Sequence, residues 1–107
     1  MTRFVLYFNK EHYDGYEVSG HSTNDANDEE GRLVCSAVSS AVIMTANTIT
    51  DILNLKSDIK VDDGYLKITI SEPDENSDLL IEGLKLHLNE LSKEYKGKIE
   101  IFNGGLH

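Results

Sequence analysis

One cysteine, one proline and no tryptophan occur in the 107 residues, and lysine and arginine together number 10 against 19 aspartates and glutamates. Each shortage removes a class of protein. Cys35 on its own can form neither an internal disulfide nor a two-thiol zinc site, so the disulfide-stapled secreted scaffolds are excluded. The formal charge of −9 leaves few cations with which to displace counterions from a nucleic acid or an anionic membrane. A basic protein or peptide suits this balance better as a partner. No stretch reaches the roughly 18 consecutive apolar residues of a membrane span, and Met1 to Phe8 lacks the basic segment and apolar core of a signal sequence. The expectation is a cytoplasmic protein with no direct nucleic-acid or membrane partner. Low-complexity tracts, linkers and solenoid-period repeats are also missing. The composition, 39% hydrophobic and 27% charged, is that of an ordinary globular protein whose length allows one core, so residues 1–107 are read as a single domain.

The run from Arg3 to Phe8 is apolar and aromatic, and from Tyr13 to Ser19 Tyr16 and Val18 alternate with Glu17 and Ser19. With polar Asn9 to His12 between them, the two segments read as a hairpin. Gly20 to Gly31 follows, rich in Asn, Asp and Glu and almost free of apolar residues, and reads as a long loop of the kind that carries function. From Leu33 to Leu53 the residues Val34, Val38, Ala41, Thr45, Ile49 and Ile52 recur at three- and four-residue steps, which predicts a helix despite its β-branched content. Asp63-Gly64 predicts a tight turn with positive backbone dihedrals between Ile59-Val61 and the alternating Leu66, Ile68 and Ile70. Pro73 and an acidic stretch then lead to a helix cap at Asn76 or Ser77. Leu80, Leu84, Leu88, Leu91 and Tyr95 mark a second helix, Gly97 its left-handed cap, and Ile99 and Ile101 a closing strand. The order ββαββαβ, with one strongly apolar face per helix, predicts an α+β two-layer sandwich. About five strands in a mixed or antiparallel sheet would carry both helices on one face.

Chemistry concentrates where the polar loop meets the first helix. His21 opens the loop directly after Gly20, and Cys35 is expected in the first turn of the helix. Amides at a helix N-terminus favour a thiolate and can donate to a developing oxyanion, while a histidine nearby can take the thiol proton and later return it to a leaving amine. On spacing alone a buried packing role fits Cys35 better, since a lone cysteine among small and apolar residues is one of the most buried residue types. A metal site built from His12, His21, Asp25, Asp28 and Cys35 has no recognised ligand spacing, and no metal or cofactor is expected. His87, among leucines, reads as a packing or surface residue, and Glu72 to Asp78 as a solvated face.

Gly20-His21, an acidic glycine-containing loop and then Leu33-Val34-Cys35-Ser36-Ala37-Val38-Ser39 resemble the ribosomal-processing cysteine protease (Prp) family. Its members carry Gly-His, a variable loop and a Val-Cys-Ala/Ser segment opening a helix. The resemblance extends over essentially the whole chain in element order. It implies a cysteine endopeptidase that removes a short N-terminal extension from large-subunit ribosomal protein twenty-seven during ribosome assembly. Cys35 would be the nucleophile, His21 its general base, and Ser39 a supporting residue one helical turn on. It also implies a homodimer. One position departs from the pattern, because the aspartate that members commonly place three residues before the cysteine is here Arg32. Its role in orienting the histidine or the loop would pass to Asp28, Glu29 or Glu30, or be absent, and Arg32 would instead lower the thiol pKa further through its charge. The alternative reading is a non-catalytic module of the same fold that binds a basic or ribosomal protein.

Overall fold

The computed structural model describes residues 1–20 and 27–106. Its elements run β1 (Thr2–Phe8), β2 (Tyr13–Ser19), α1 (Glu29–Asn47) continuing into a π-helical turn (Thr48–Ile52), β3 (Ser57–Asp62), β4 (Tyr65–Ile70), α2 (Glu75–Glu94) and β5 (Ile99–Leu106). The strands form one five-stranded sheet in the order β3-β4-β2-β1-β5. Every pair is antiparallel except β1 with β5, so the sheet is mixed and the fold is α+β, as the element order predicts.

Register explains where the core sits. Phe4 lies opposite Val18 and Leu6 opposite Tyr16, which are in turn opposite Leu66 and Ile68, so this buried set shares one face. Val34, Val38 and Val42 of α1 join the same cluster, as do Ile81, Leu84 and Leu88 of α2. Both helices therefore cover that face. Long polar side chains and aromatic rings cover the other one: the Tyr7 hydroxyl donates to Glu17 Oε1 at 2.7 Å, the Lys67 ammonium lies 5.0 Å from the Tyr7 ring centre, and the Arg3 guanidinium 5.5 Å from that of Phe102. Tyr16 ties the layers together, since its fully buried hydroxyl donates to the Val42 carbonyl of α1 at 2.7 Å. Burial pushes its phenol well above the ordinary value, so it remains a donor.

Three boundaries differ from the sequence reading. Helix α1 begins at Glu29 rather than Leu33, because Asp28 caps it by accepting from the Gly31 amide at 3.0 Å and Glu29 and Glu30 sit at the positive end of the helix. Its last turns loosen into the π turn where the hydroxyls of Thr45, Thr48 and Thr50 donate to carbonyls four residues back. Helix α2 is capped by Asp74 rather than Asn76 or Ser77, in a reciprocal box with Ser77. In the β3–β4 turn only Gly64 takes a positive φ, while Asp63 does not.

The 24 residues Glu29–Ile52 are long and apolar enough, by length and composition, to cross a membrane, although polar residues interrupt every apolar run within them. Part of that hydropathy serves the core, while Leu33, Ile43, Met44 and Ile52 of the same segment are exposed. Val34, Val38, Val42, Ala46 and Ile49 are the residues that pack on the sheet.

Candidate active site

Strand order brings the start of β1, the end of β2 and the β3–β4 turn to one end of the sheet. Hydrogen bonds fix them there: the Gly20 amide donates to the Gly64 carbonyl at 3.0 Å, and the Thr2 amide to the Lys98 carbonyl at 3.0 Å. Gly20 leaves β2 with φ +84°, and a Cβ there would stand 2.5 Å from the Met1 carbonyl oxygen, so glycine is needed on both counts. Across this end lies the first half of α1. Between helix and sheet end is a hollow of about 260 Å³ that Gly20, Cys35 and Ser39 line together with Thr2, Val18 and Leu66. Its other wall is the turn from Val61 to Tyr65, with Asp62 and Asp63 at the edge.

Cys35 is half-buried in this hollow and Ser39, four residues on, is exposed at it. The spacing of one helical turn puts both on the same side of α1, as expected. Cys35 does not lie in the first turn. With Asp28 as the cap it is the seventh residue of the helix, about 10 Å along the axis from the cap. In a regular helix the amide of residue 35 is used by the carbonyl of residue 31, and the influence of the terminus fades within the first turn. Neither a terminal oxyanion site nor a terminal charge is therefore available at this thiol.

The supporting residues separate. Arg32 is exposed and lines a different hollow, with Glu29, Leu33 and Ser36. Glu30 is exposed on the first turn. Asp28 is engaged through both oxygens, Oδ1 on the Gly31 amide and Oδ2 on Lys98 Nζ at 3.0 Å. His21 and Asp25 lie outside the described residues. His12, offered as one member of a metal set, instead pairs through Nδ1 with Asp78 Oδ2 at 2.6 Å. Among the described residues no three His, Cys, Asp or Glu side chains converge on a metal-sized point. His87 is exposed beside the groove between α1 and α2.

Among the described residues three larger hollows carry no thiol. One of about 470 Å³ lies at the β1–β2 hairpin beside His12, Asp78 and Lys85, one of about 550 Å³ runs between the two helices, and one of about 390 Å³ is the hollow beside Arg32. The smallest of the four is the one that Cys35 lines. Sequence reasoning missed its far wall, the turn from Val61 to Tyr65, and the partner of Asp28, Lys98. The hairpin itself was readable from Asp63-Gly64, but nothing in a local pattern says that a turn so far along the chain faces Cys35.

Comparison with known proteins identifies the family and the shared fold. The model of the family described as Cysteine protease Prp matches residues 1–100. No curated protein matches. Among solved structures, an essential ribosomal processing protease Prp from S. aureus, crystallised with a covalently linked product peptide, superposes with TM-score 0.84 at 20% identity, over 96% of this chain and 99% of that one. The same protease with a substrate peptide gives the same values. A Streptococcus mutans protein superposes with TM-score 0.84 at 22% identity, over 98% of this chain and 95% of that one. At these identities the superpositions establish the shared fold, and the family match over nearly the full length establishes membership. The chain belongs to the Prp family of cysteine proteases.

Proposed function

We propose that this cysteine protease removes the N-terminal extension of large-subunit ribosomal protein twenty-seven, using Cys35 as nucleophile and His21 as general base. The observation that carries the reading is the shared hollow: Cys35 lines it from α1, and Gly20, the residue directly before His21, lines it from the end of β2. The S. aureus protein of the same fold, named a ribosomal processing protease, binds a substrate peptide and a covalently linked product peptide.

In this mechanism the Cys35 thiol gives its proton to the imidazole as Sγ bonds to the scissile carbonyl carbon. The carbon–nitrogen bond then breaks, the leaving amine takes the proton from His21, and an acyl-enzyme remains. Water, deprotonated by His21, attacks the acyl carbon, the carbon–sulfur bond breaks, the thiolate takes the proton back from His21, and the carboxylic acid product loses its own proton to solvent. With Cys35 beyond the first turn, thiolate formation rests on the imidazole more than on the helix end. Ser39 contacts substrate next to the thiol in this reading, which its place in the same hollow supports. The protein acts as a cytoplasmic homodimer, which sedimentation of the purified chain checks.

The test is incubation of the purified chain with the extended ribosomal protein and measurement of the product masses. Cys35→Ala and Cys35→Ser are expected to abolish cleavage while leaving the thermal transition in place. Native-rate cleavage by either variant overturns the assignment. A second reading, a binding module without peptidase activity, is favoured by Arg32 standing where the family places an aspartate. Tight binding of the intact extended protein by the unmodified chain, with no cleavage, would select it.

A further inference from the structure

We propose that Lys98, which no motif singles out, is a positioning residue for Cys35, acting through Asp28. The inference rests on the proteolytic reading above.

The first turn of α1 buries no side chain against the sheet. Of its residues only Gly31, which has no side chain, is buried, while Glu29, Glu30 and Arg32 are exposed. The next residue, Leu33, is 57% exposed. Apolar anchoring begins at Val34. The Lys98–Asp28 pair supplies an anchor ahead of that point: Nζ donates to Asp28 Oδ2 at 3.0 Å, with both side chains about three-quarters shielded from solvent.

Lys98 is itself well held. Its carbonyl accepts from the Thr2 amide at 3.0 Å and its own amide donates to the Tyr95 carbonyl at 3.2 Å, at the corner where α2 turns into β5. Gly97, with φ +81°, makes that corner. One residue therefore touches three parts of the site's frame: α2 through its amide, the Thr2 floor of the hollow through its carbonyl, and the cap of α1 through its ammonium. Gripping Asp28 sets the tilt of the first two turns of α1 and with it the height of Cys35 over the hollow. A displacement of about 1 Å at a reacting atom suffices for a large loss in the chemical step.

The charge acts separately from the cap. Asp28 caps α1 through Oδ1 and meets Lys98 through Oδ2, and asparagine keeps a cap while losing the charge. Lys98→Met, Lys98→Arg, Asp28→Asn and the double variant Asp28→Asn/Lys98→Met are to be made in the full chain. Each is measured for cleavage of the extended ribosomal protein, for the pH profile of iodoacetamide alkylation at Cys35, and for thermal midpoint. Lys98→Met is expected to lower kcat by about tenfold with KM within about twofold, and to shift the alkylation profile. Lys98→Arg should restore both, and the double variant should be no worse than Lys98→Met, because the two residues act as one unit. Wild-type kcat and alkylation in Lys98→Met, no restoration by arginine, or additive losses in the double variant would overturn the proposal. If the unmodified chain cleaves nothing yet its alkylation profile still shifts in Lys98→Met and returns in Lys98→Arg, the proteolytic reading fails and the positioning role stands; an unshifted profile in that case overturns both.

Discussion

At Gly20 the backbone turns out of β2 with a positive φ while running against the carbonyl of Met1, and its amide is taken by Gly64. Alanine there meets a dihedral and a contact that both oppose a Cβ. Gly20→Ala is expected to destabilise the fold by about 1–3 kcal/mol, read by denaturant unfolding, and to lower cleavage further than the unfolded fraction explains, since it moves the residue that leads into His21. Cleavage that tracks the folded fraction alone would separate the strain from the site. Cys35 illustrates a different lesson at the same scale. Its residue type and small neighbours marked it in the sequence. Its distance from the helix end was not legible there, because Asp28, Asn76-type caps and loop aspartates look alike until one of them closes on an amide. The cap that forms at Asp28 lengthens α1 by one turn and removes the terminal amides from the thiol.

Between elements, the β1–β2 hairpin is fastened to the start of α2 by residues 65 and 66 positions apart. The His12 ring meets one Asp78 oxygen and the Tyr13 amide donates to the other at 2.9 Å. The hydrogen bond to Asp78 holds the His12 imidazole above its ordinary value. A group whose folded value is raised contributes stability that is fully present below its unfolded value, about pH 6.5, and is lost as pH rises through the folded value. The wild-type chain is therefore expected to lose stability on going from below pH 6.5 to pH 9 more steeply than His12→Gln, measured by denaturant unfolding at fixed ionic strength. Parallel curves would show that the pair carries no linked proton. Such a tie was invisible in the sequence, where His12 was a turn residue weighed only as a metal ligand and Asp78 one acid among several. The elements themselves were far easier to read, since alternation in Leu66, Ile68 and Ile70 and the three- and four-residue steps of Leu84, Leu88 and Leu91 are local.

For the molecule as a whole the excess of acid is the property with the longest reach. A formal charge of −9 attracts a basic substrate from beyond contact range and is screened by salt. Cleavage of the extended ribosomal protein at low substrate concentration is expected to fall several-fold between about 50 and 500 mM salt, through kcat/KM rather than kcat. A flat dependence would reduce the charge to a matter of solubility. Periodicity, turn residues and charge are properties of neighbouring residues or of the sum over the chain, so the amino-acid sequence by itself determined the α+β order, the apolar faces, the acidic balance and the one available thiol. Which turn faces Cys35, which aspartate caps α1 and which lysine meets it were decided only by tertiary structure. Those choices depend on strand order and register, through which residues as far apart as Asp28 and Lys98 come within 3.0 Å, and no local pattern encodes a distance of that kind.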